Sequence, residues 1–94
     1  MNPLSAAARD QLATTLPHWR LLPGRDAIGR SFRFPDFSAA WAFLSRVALL
    51  AERMDHHPEW SNTYGQVSIA LMTHDANGLS ERDVAMAAAI DRFA

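Results

Sequence analysis

The sequence contains no cysteine and no lysine, and its formal net charge is only −1. Without cysteine, the chain can form neither a disulfide framework nor a zinc site built on thiolates. All nine basic residues are arginines, and they are scattered along the chain without forming a basic run. Because no strong positive field is available to hold a phosphate backbone, we do not expect direct binding of nucleic acid.

Long hydrophobic segments are also missing. No uninterrupted apolar run approaches the roughly 20 residues that a membrane-spanning helix needs. The first residues do not show the basic region and apolar stretch of a signal peptide. We therefore expect a cytoplasmic protein with no membrane partner, and the 94 residues fit a single domain that spans positions 1–94.

The spacing of apolar and capping residues predicts seven elements in the order α-β-β-α-β-β-α. Ser5 is placed to cap a helix over residues 6–15, and Asp36 or Ser38 to cap a longer helix that ends near residue 55. Alternating patterns predict strands at residues 18–22, 28–34, 60–64 and 66–71, and a last helix opens at residues 80–83. Strand pairs separated by helices indicate an α+β fold, a four-stranded antiparallel sheet with the helices packed on one face.

The long helix is expected to bury one apolar stripe. Phe37, Trp41, Leu44, Ala48 and Ala51 recur at three- and four-residue spacing, which predicts that these five face the sheet. A proline disfavours helix in the residue before it, so this helix must end before residue 58.

Three histidines, His56, His57 and His74, are therefore expected at the ends of elements, where imidazoles can exchange protons near neutral pH. Three imidazoles can hold zinc, but adjacent side chains diverge by about 100° on a helix and point to opposite faces on a strand. In acid–base catalysis, by contrast, each ring can face a different substrate atom. The residues alone leave open an acid–base site, a metal site and a structural cluster.

Two stretches around these histidines resemble the signature of the pterin-4a-carbinolamine dehydratase family. The first stretch is Glu52-x-x-x-His56-His57-Pro58-Glu59-Trp60-x-x-x-Tyr64. The second is Val67-x-Ile69-x-Leu71-x-Thr73-His74-Asp75-Ala76-x-Gly78-Leu79-Ser80-x-x-Asp83. The resemblance extends upstream over the predicted hairpin and long helix, with one departure at Asn77, where the family often has glycine.

This resemblance implies a hydro-lyase that removes water from the 4a-carbinolamine of a tetrahydropterin. The product would be the quinonoid dihydropterin, which a reductase recycles after an aromatic amino acid hydroxylase has used the pterin. An acid must protonate the leaving hydroxyl, and a base must take the proton of the neighbouring ring nitrogen. The resemblance implies no cofactor and no metal ion.

The resemblance also assigns roles to individual residues. His56 and His74 would be the acid and the base, and His57 would bind and orient the pterin. Glu52 would either orient a histidine or be only a solvated helix residue. Asp83 would either hold His74 or only close the start of the last helix as a capping box. The implied substrate-binding set is His56, His57, Pro58, Trp60, Thr73, His74, Asp75 and Ala76.

Two other functions stay open. One is dehydration of a different pterin, linked to molybdenum cofactor. The other is a protein-binding role, because family members in animals also act as a dimerisation cofactor for a homeodomain transcription factor, and relatives act as assembly factors. The resemblance further implies a homodimer or a homotetramer.

Overall fold

The computed structural model describes residues 1–94 and confirms the predicted order of helices and strands. In chain order the elements are α1 (Ala6–Thr15), β1 (Arg20–Leu21), β2 (Ile28–Arg33), α2 (Phe37–Met54), β3 (Glu59–Thr63), β4 (Gln66–Leu71), a 3-10 helix (His74–Ala76) and α3 (Glu81–Asp91). The largest difference in bounds is at β1, which pairs over two residues instead of the whole of residues 18–22. Ser5 and Asp36 cap α1 and α2 by accepting backbone hydrogen bonds.

The four strands form one antiparallel sheet in the order β1-β2-β4-β3. Along the central strand β4, Val67, Ile69 and Leu71 are buried, whereas the residues between them are only partly buried. Apolar side chains from the sheet and from all three helices join in one buried cluster of 20 residues. The predicted α+β fold, with helices on one face of the sheet, is confirmed.

The predicted buried stripe of α2 is wrong at three of its five positions. Leu44 and Ala51 are buried, but Phe37 and Trp41 are 50% and 57% exposed, and Ala48 is exposed as well. The residues that α2 buries are Ala40, Phe43, Leu44, Val47, Leu50 and Ala51. The helix carries apolar residues on most of its circumference, so two stripes with the same spacing compete for the sheet. The buried stripe is the one that brings Phe43 against two phenylalanines of the hairpin, Phe32 and Phe34.

None of the three helices is long and apolar enough to cross a membrane. Even α2, with 18 residues, lacks the continuous apolar length that a bilayer crossing requires.

Candidate active site

Asp83 lies in the first turn of α3, is fully buried, and accepts three hydrogen bonds. Its Oδ1 lies 2.6 Å from Nε2 of His56. Its Oδ2 accepts from the Thr73 hydroxyl at 2.8 Å and from the Ser80 N–H at 2.9 Å. Asp83 therefore closes the capping box with Ser80 and also holds a histidine. That histidine is His56, so the expectation that Asp83 holds His74 is wrong.

The end of α2 turns His56 toward this carboxylate. Asp55 adopts a left-handed conformation with φ 50°, and the N–H of His56 donates to the Ala51 carbonyl at 3.1 Å. Arg82 of α3 donates to the carbonyls of Met54 and Asp55 at 3.1 and 2.6 Å. The start of α3 thus fixes both the terminal turn of α2 and the imidazole that this turn presents.

The bond to Asp83 also determines which nitrogen of His56 is free. An ionised carboxylate can only accept, so Nε2 carries the hydrogen that it donates to Asp83. No protein group bonds Nδ1, and no buried side-chain nitrogen or oxygen lacks a partner. Nδ1 is therefore the atom through which His56, 7% exposed, meets solvent or a ligand. A buried carboxylate that orients an imidazole in this way is the usual arrangement for a histidine that takes or gives protons.

The adjacent histidine points the other way. The His57 side chain is 61% exposed, and its Nε2 lies 3.4 Å from Oε1 of Glu52, which is itself 84% exposed. A contact of this length between exposed groups contributes little energy. Glu52 thus lies beside His57 and forms no hydrogen bond with either of the other two histidines.

His74 is exposed at the start of the 3-10 helix, in a loop that folds back on itself. The Thr73 N–H donates to the Gly78 carbonyl at 2.8 Å, and the Gly78 N–H donates to the Thr73 carbonyl at 3.1 Å. Asn77 closes the turn with φ 53° and donates to the His74 carbonyl at 2.9 Å. Because the Thr73 hydroxyl bonds to Asp83, one buried carboxylate anchors both His56 and the residue that precedes His74.

A second carboxylate, Glu59 at the start of β3, is held by an arginine of the β1–β2 turn. Glu59 accepts two hydrogen bonds from Arg25, at 3.1 and 2.7 Å, and the same guanidinium lies 3.2 Å from the sulfur of Met72. These hydrogen bonds from Arg25 lower the pKa of the Glu59 carboxyl, and the charges of Arg25 and His74 lower it further. The guanidinium of Arg25 therefore holds Glu59 as an anion.

The remaining residues of the predicted substrate-binding set differ in how far a ligand can reach them. The hydroxyl, N–H and carbonyl of Thr73 all bond within the protein, so Thr73 supports the loop. The N–H groups of His74 and Asp75 donate to no protein atom. Pro58 and Ala76 are half-buried, and Trp60, on the edge strand β3, is 41% exposed. The free backbone donors and the Trp60 ring are the groups that a ligand can reach.

The main hollow of the molecule lies elsewhere, on the helix-free face of the sheet. It has a volume of about 500 Å³ and is lined by serines of three strands, Ser31, Ser61 and Ser68. It includes Glu59 and Trp60 but none of the three histidines. A ligand bound in this hollow would therefore lie away from the three histidines, so an experiment can distinguish the two locations. No three histidine, aspartate or glutamate side chains lie close enough to share one metal ion.

The sequence predicts the turn between β1 and β2, but it did not reveal that Arg25 and Asp26 of this turn bind different partners. Asp26 accepts from Arg9 at 2.6 and 2.9 Å and from the Leu79 N–H at 3.1 Å. The hydrogen bonds from Arg9 lower the pKa of the Asp26 carboxyl, and the Leu79 N–H acts in the same direction. The only signal in the sequence is a pair of unlike charges in a turn, a pattern too common to identify a site.

Comparisons with known proteins agree with one another. The sequence profile of the family described as pterin 4 alpha carbinolamine dehydratase matches residues 2–93. A protein of Rhizorhabdus wittichii is 60% identical over all of this chain and 97% of its own length, and one of Novosphingobium aromaticivorans is 56% identical over 96% and 94%. Both are provisionally named pterin-4-alpha-carbinolamine dehydratase.

Two solved structures share the fold. A Brucella melitensis protein described as a transcriptional coactivator/pterin dehydratase superposes with a TM-score of 0.94 at 43% identity, covering 99% of each chain. A pterin dehydratase-like protein described as a RuBisCO assembly factor in the α-carboxysome superposes with a TM-score of 0.71 at 25% identity, covering 84% of this chain and 92% of its own.

Proposed function

Because this chain belongs to the pterin 4 alpha carbinolamine dehydratase family, we propose that it is a hydro-lyase acting on 4a-hydroxytetrahydropterin. In the reaction the C4a–oxygen bond breaks and the hydroxyl leaves as water after it receives a proton. The neighbouring ring nitrogen loses its proton as a double bond forms to C4a, which gives the quinonoid dihydropterin. One proton is taken and one is given, so the reaction needs no redox partner.

The observation that carries this proposal is the pairing of His56 with buried Asp83, which leaves Nδ1 as the reactive nitrogen. His74 supplies the second imidazole, on a loop tied to the same carboxylate through Thr73. One ring protonates the leaving hydroxyl and the other takes the proton from the ring nitrogen, with the roles set by the stereoisomer bound. Such paired acid–base catalysis contributes about 10²–10⁴-fold in rate.

The neighbouring groups are suited to hold a flat, polar heterocycle. The free N–H groups of His74 and Asp75 can donate to the carbonyl of the pyrimidinone edge. Exposed His57 orients the ring, and Pro58 and Trp60 provide apolar contact beside it. In this proposal Asp83 orients His56, and Glu52 makes only a weak contact with His57.

Stopped-flow dehydration of 4a-hydroxytetrahydropterin tests the assignment. We expect His56→Ala and His74→Ala each to lower the rate by about 10²–10⁴-fold, because each removes a proton-transfer group. His18→Ala is the matched control, since His18 is exposed and makes no side-chain hydrogen bond. Wild-type rates in both site variants would reject the acid–base roles, and a wild-type protein without activity would reject the dehydratase.

A protein-binding role has one observation in its favour. Phe37, Trp41 and Leu49 of α2 are 50%, 57% and 69% exposed, an unusual amount of bare apolar surface on one helix. We propose that the chain self-associates and that this surface contributes. Light scattering after size exclusion should show at least a dimer that Trp41→Glu weakens, and a monomeric wild-type protein would contradict the proposal.

A further inference from the structure

The loop that carries His74 is held from outside by a closed ring of hydrogen bonds. The Leu79 N–H donates to Oδ2 of Asp26 at 3.1 Å, and the Leu79 carbonyl accepts from the Leu4 N–H at 2.8 Å. Arg9 completes the ring: its Nη atoms donate to both oxygens of Asp26, and its Nε donates to the Leu4 carbonyl at 3.1 Å. Three distant parts of the chain, namely the N-terminal segment, the β1–β2 turn and the His74 loop, meet at one carboxylate.

Asp26 also packs directly on the backbone of this loop. Gly78 has φ 155°, and a Cβ added there would lie 2.2 Å from Oδ2 of Asp26. Gly78 is the residue that exchanges two hydrogen bonds with Thr73 to close the loop. The loop is thus fixed at both ends. Asp83 binds Thr73 at its start, and Asp26 contacts Gly78 and Leu79 at its end.

We propose that Asp26, held by Arg9, is a positioning residue that sets where the His74 imidazole lies. This inference rests on the proposed role of His74 in proton transfer. The 3-10 helix is a single short turn, so it has little rigidity of its own, and its two flanking residues must be fixed from outside. Loss of Asp26 would remove the hydrogen bond to Leu79 and the packing on Gly78, while Thr73 stays bonded to Asp83.

The kinetic test is a double-mutant cycle. We expect Asp26→Ala to lower kcat/KM for dehydration by about 10- to 100-fold, the usual effect of misplacing a catalytic group. In a His74→Ala background the same substitution should change the residual activity by less than about twofold, because there is no imidazole left to misplace. A purely structural role would instead give the same loss in both backgrounds, which would overturn the proposal.

Asp91→Ala is a matched control. Asp91 likewise binds one arginine and one N–H donor, Arg30 at 2.6 Å and the Trp19 indole at 2.8 Å. It is the last residue of α3, about 15 Å along the helix axis from the end that joins the His74 loop. We expect Asp91→Ala to lower thermal stability without lowering kcat/KM for dehydration. If Asp26→Ala does not fold, Arg9→Met is measured in its place, because it leaves Asp26 without its guanidinium partner.

An NMR experiment tests the positioning role of Asp26 without measuring activity. In protein with ¹⁵N-labelled histidine, Asp26→Ala should shift the ring signals of His74 and leave those of His18 unchanged, and Asp91→Ala should leave His74 unchanged. Unshifted His74 signals in both Asp26→Ala and Arg9→Met would overturn the positioning role. If wild-type protein dehydrates no pterin, the proposed function is rejected. The NMR signals of His74 then decide by themselves whether Asp26 positions that residue.

Discussion

At the scale of single residues, the buried carboxylate of Asp83 connects the fold with the proposed chemistry. It caps α3, accepts from His56, and accepts from the threonine before His74. An aspartate that is fully buried must have its charge compensated by hydrogen bonds, and Asp83 has three of them. Stability and proton transfer therefore depend on the same side chain.

Asp83→Asn tests this double dependence. The amide nitrogen cannot accept, so at least one of the three donors around position 83 loses its acceptor. We expect the free energy of unfolding to fall by about 1–3 kcal/mol, and the dehydration rate to fall because His56 is no longer held through Nε2. Urea unfolding and stopped-flow kinetics on the same samples measure both. Glu81→Gln, an exposed change in the same turn, is the control and should alter neither the free energy of unfolding nor the dehydration rate. An Asp83→Asn variant as stable as the wild-type protein would show that the carboxylate is dispensable.

The identities of the site residues could be predicted from the sequence, but their partners could not. The family resemblance pointed to His56, His74 and Asp83 together. It could not decide that Asp83 binds His56, because that contact spans 27 positions and depends on how α2 ends. The left-handed turn at Asp55, which directs His56 inward and leaves His57 outward, has no distinctive sequence pattern.

At the scale of elements, α2 shows where pattern reasoning reaches its limit. Its start, its end and its helical character followed from Asp36, from apolar spacing and from Pro58. Its orientation did not, because two apolar stripes with the same spacing lie side by side on it. The stripe that is buried contains Phe43, which packs against Phe32 of the sheet with ring centroids 4.8 Å apart. Packing against the sheet therefore determines the orientation of the helix.

Two phenylalanines of α2 offer a matched test of this orientation. Phe43 is 3% exposed and Phe37 is 50% exposed. We expect Phe43→Ala to lower the free energy of unfolding by about 3–5 kcal/mol, through lost burial and a cavity in the core. Phe37→Ala should lower it by less than about 1 kcal/mol. Urea unfolding at low protein concentration separates the two, and equal losses would mean that the buried face of α2 is assigned wrongly.

At the scale of the whole molecule, two ion pairs that start from the β1–β2 turn make stability depend on pH. The arginine hydrogen bonds lower the pKa of Asp26 and of Glu59 in the folded protein, below their ordinary values of 3.8 and 4.5. Their stabilising contribution is therefore complete above those ordinary values and is lost as the pH falls through the lower folded values. Both side chains are more than a third exposed, so solvent screening keeps the contribution small.

Urea unfolding at pH 7 and at pH 3 measures this effect. We expect the free energy of unfolding to be lower at pH 3. The difference between the two pH values should shrink in Asp26→Asn and in Glu59→Gln, because the amides do not titrate. Asp10→Asn, at an exposed aspartate with no ion pair, is the control and should leave the difference unchanged. An undiminished difference in both site variants would show that these pairs do not contribute.

A crystal structure with a bound dihydropterin would show whether the pterin lies at the two anchored imidazoles. We expect the bicyclic ring within about 3 Å of Nδ1 of His56 and of the His74 imidazole, with its pyrimidinone edge at the free backbone donors of residues 74 and 75. A pterin found instead in the serine-lined hollow on the helix-free face of the sheet, away from both rings, would contradict this expectation.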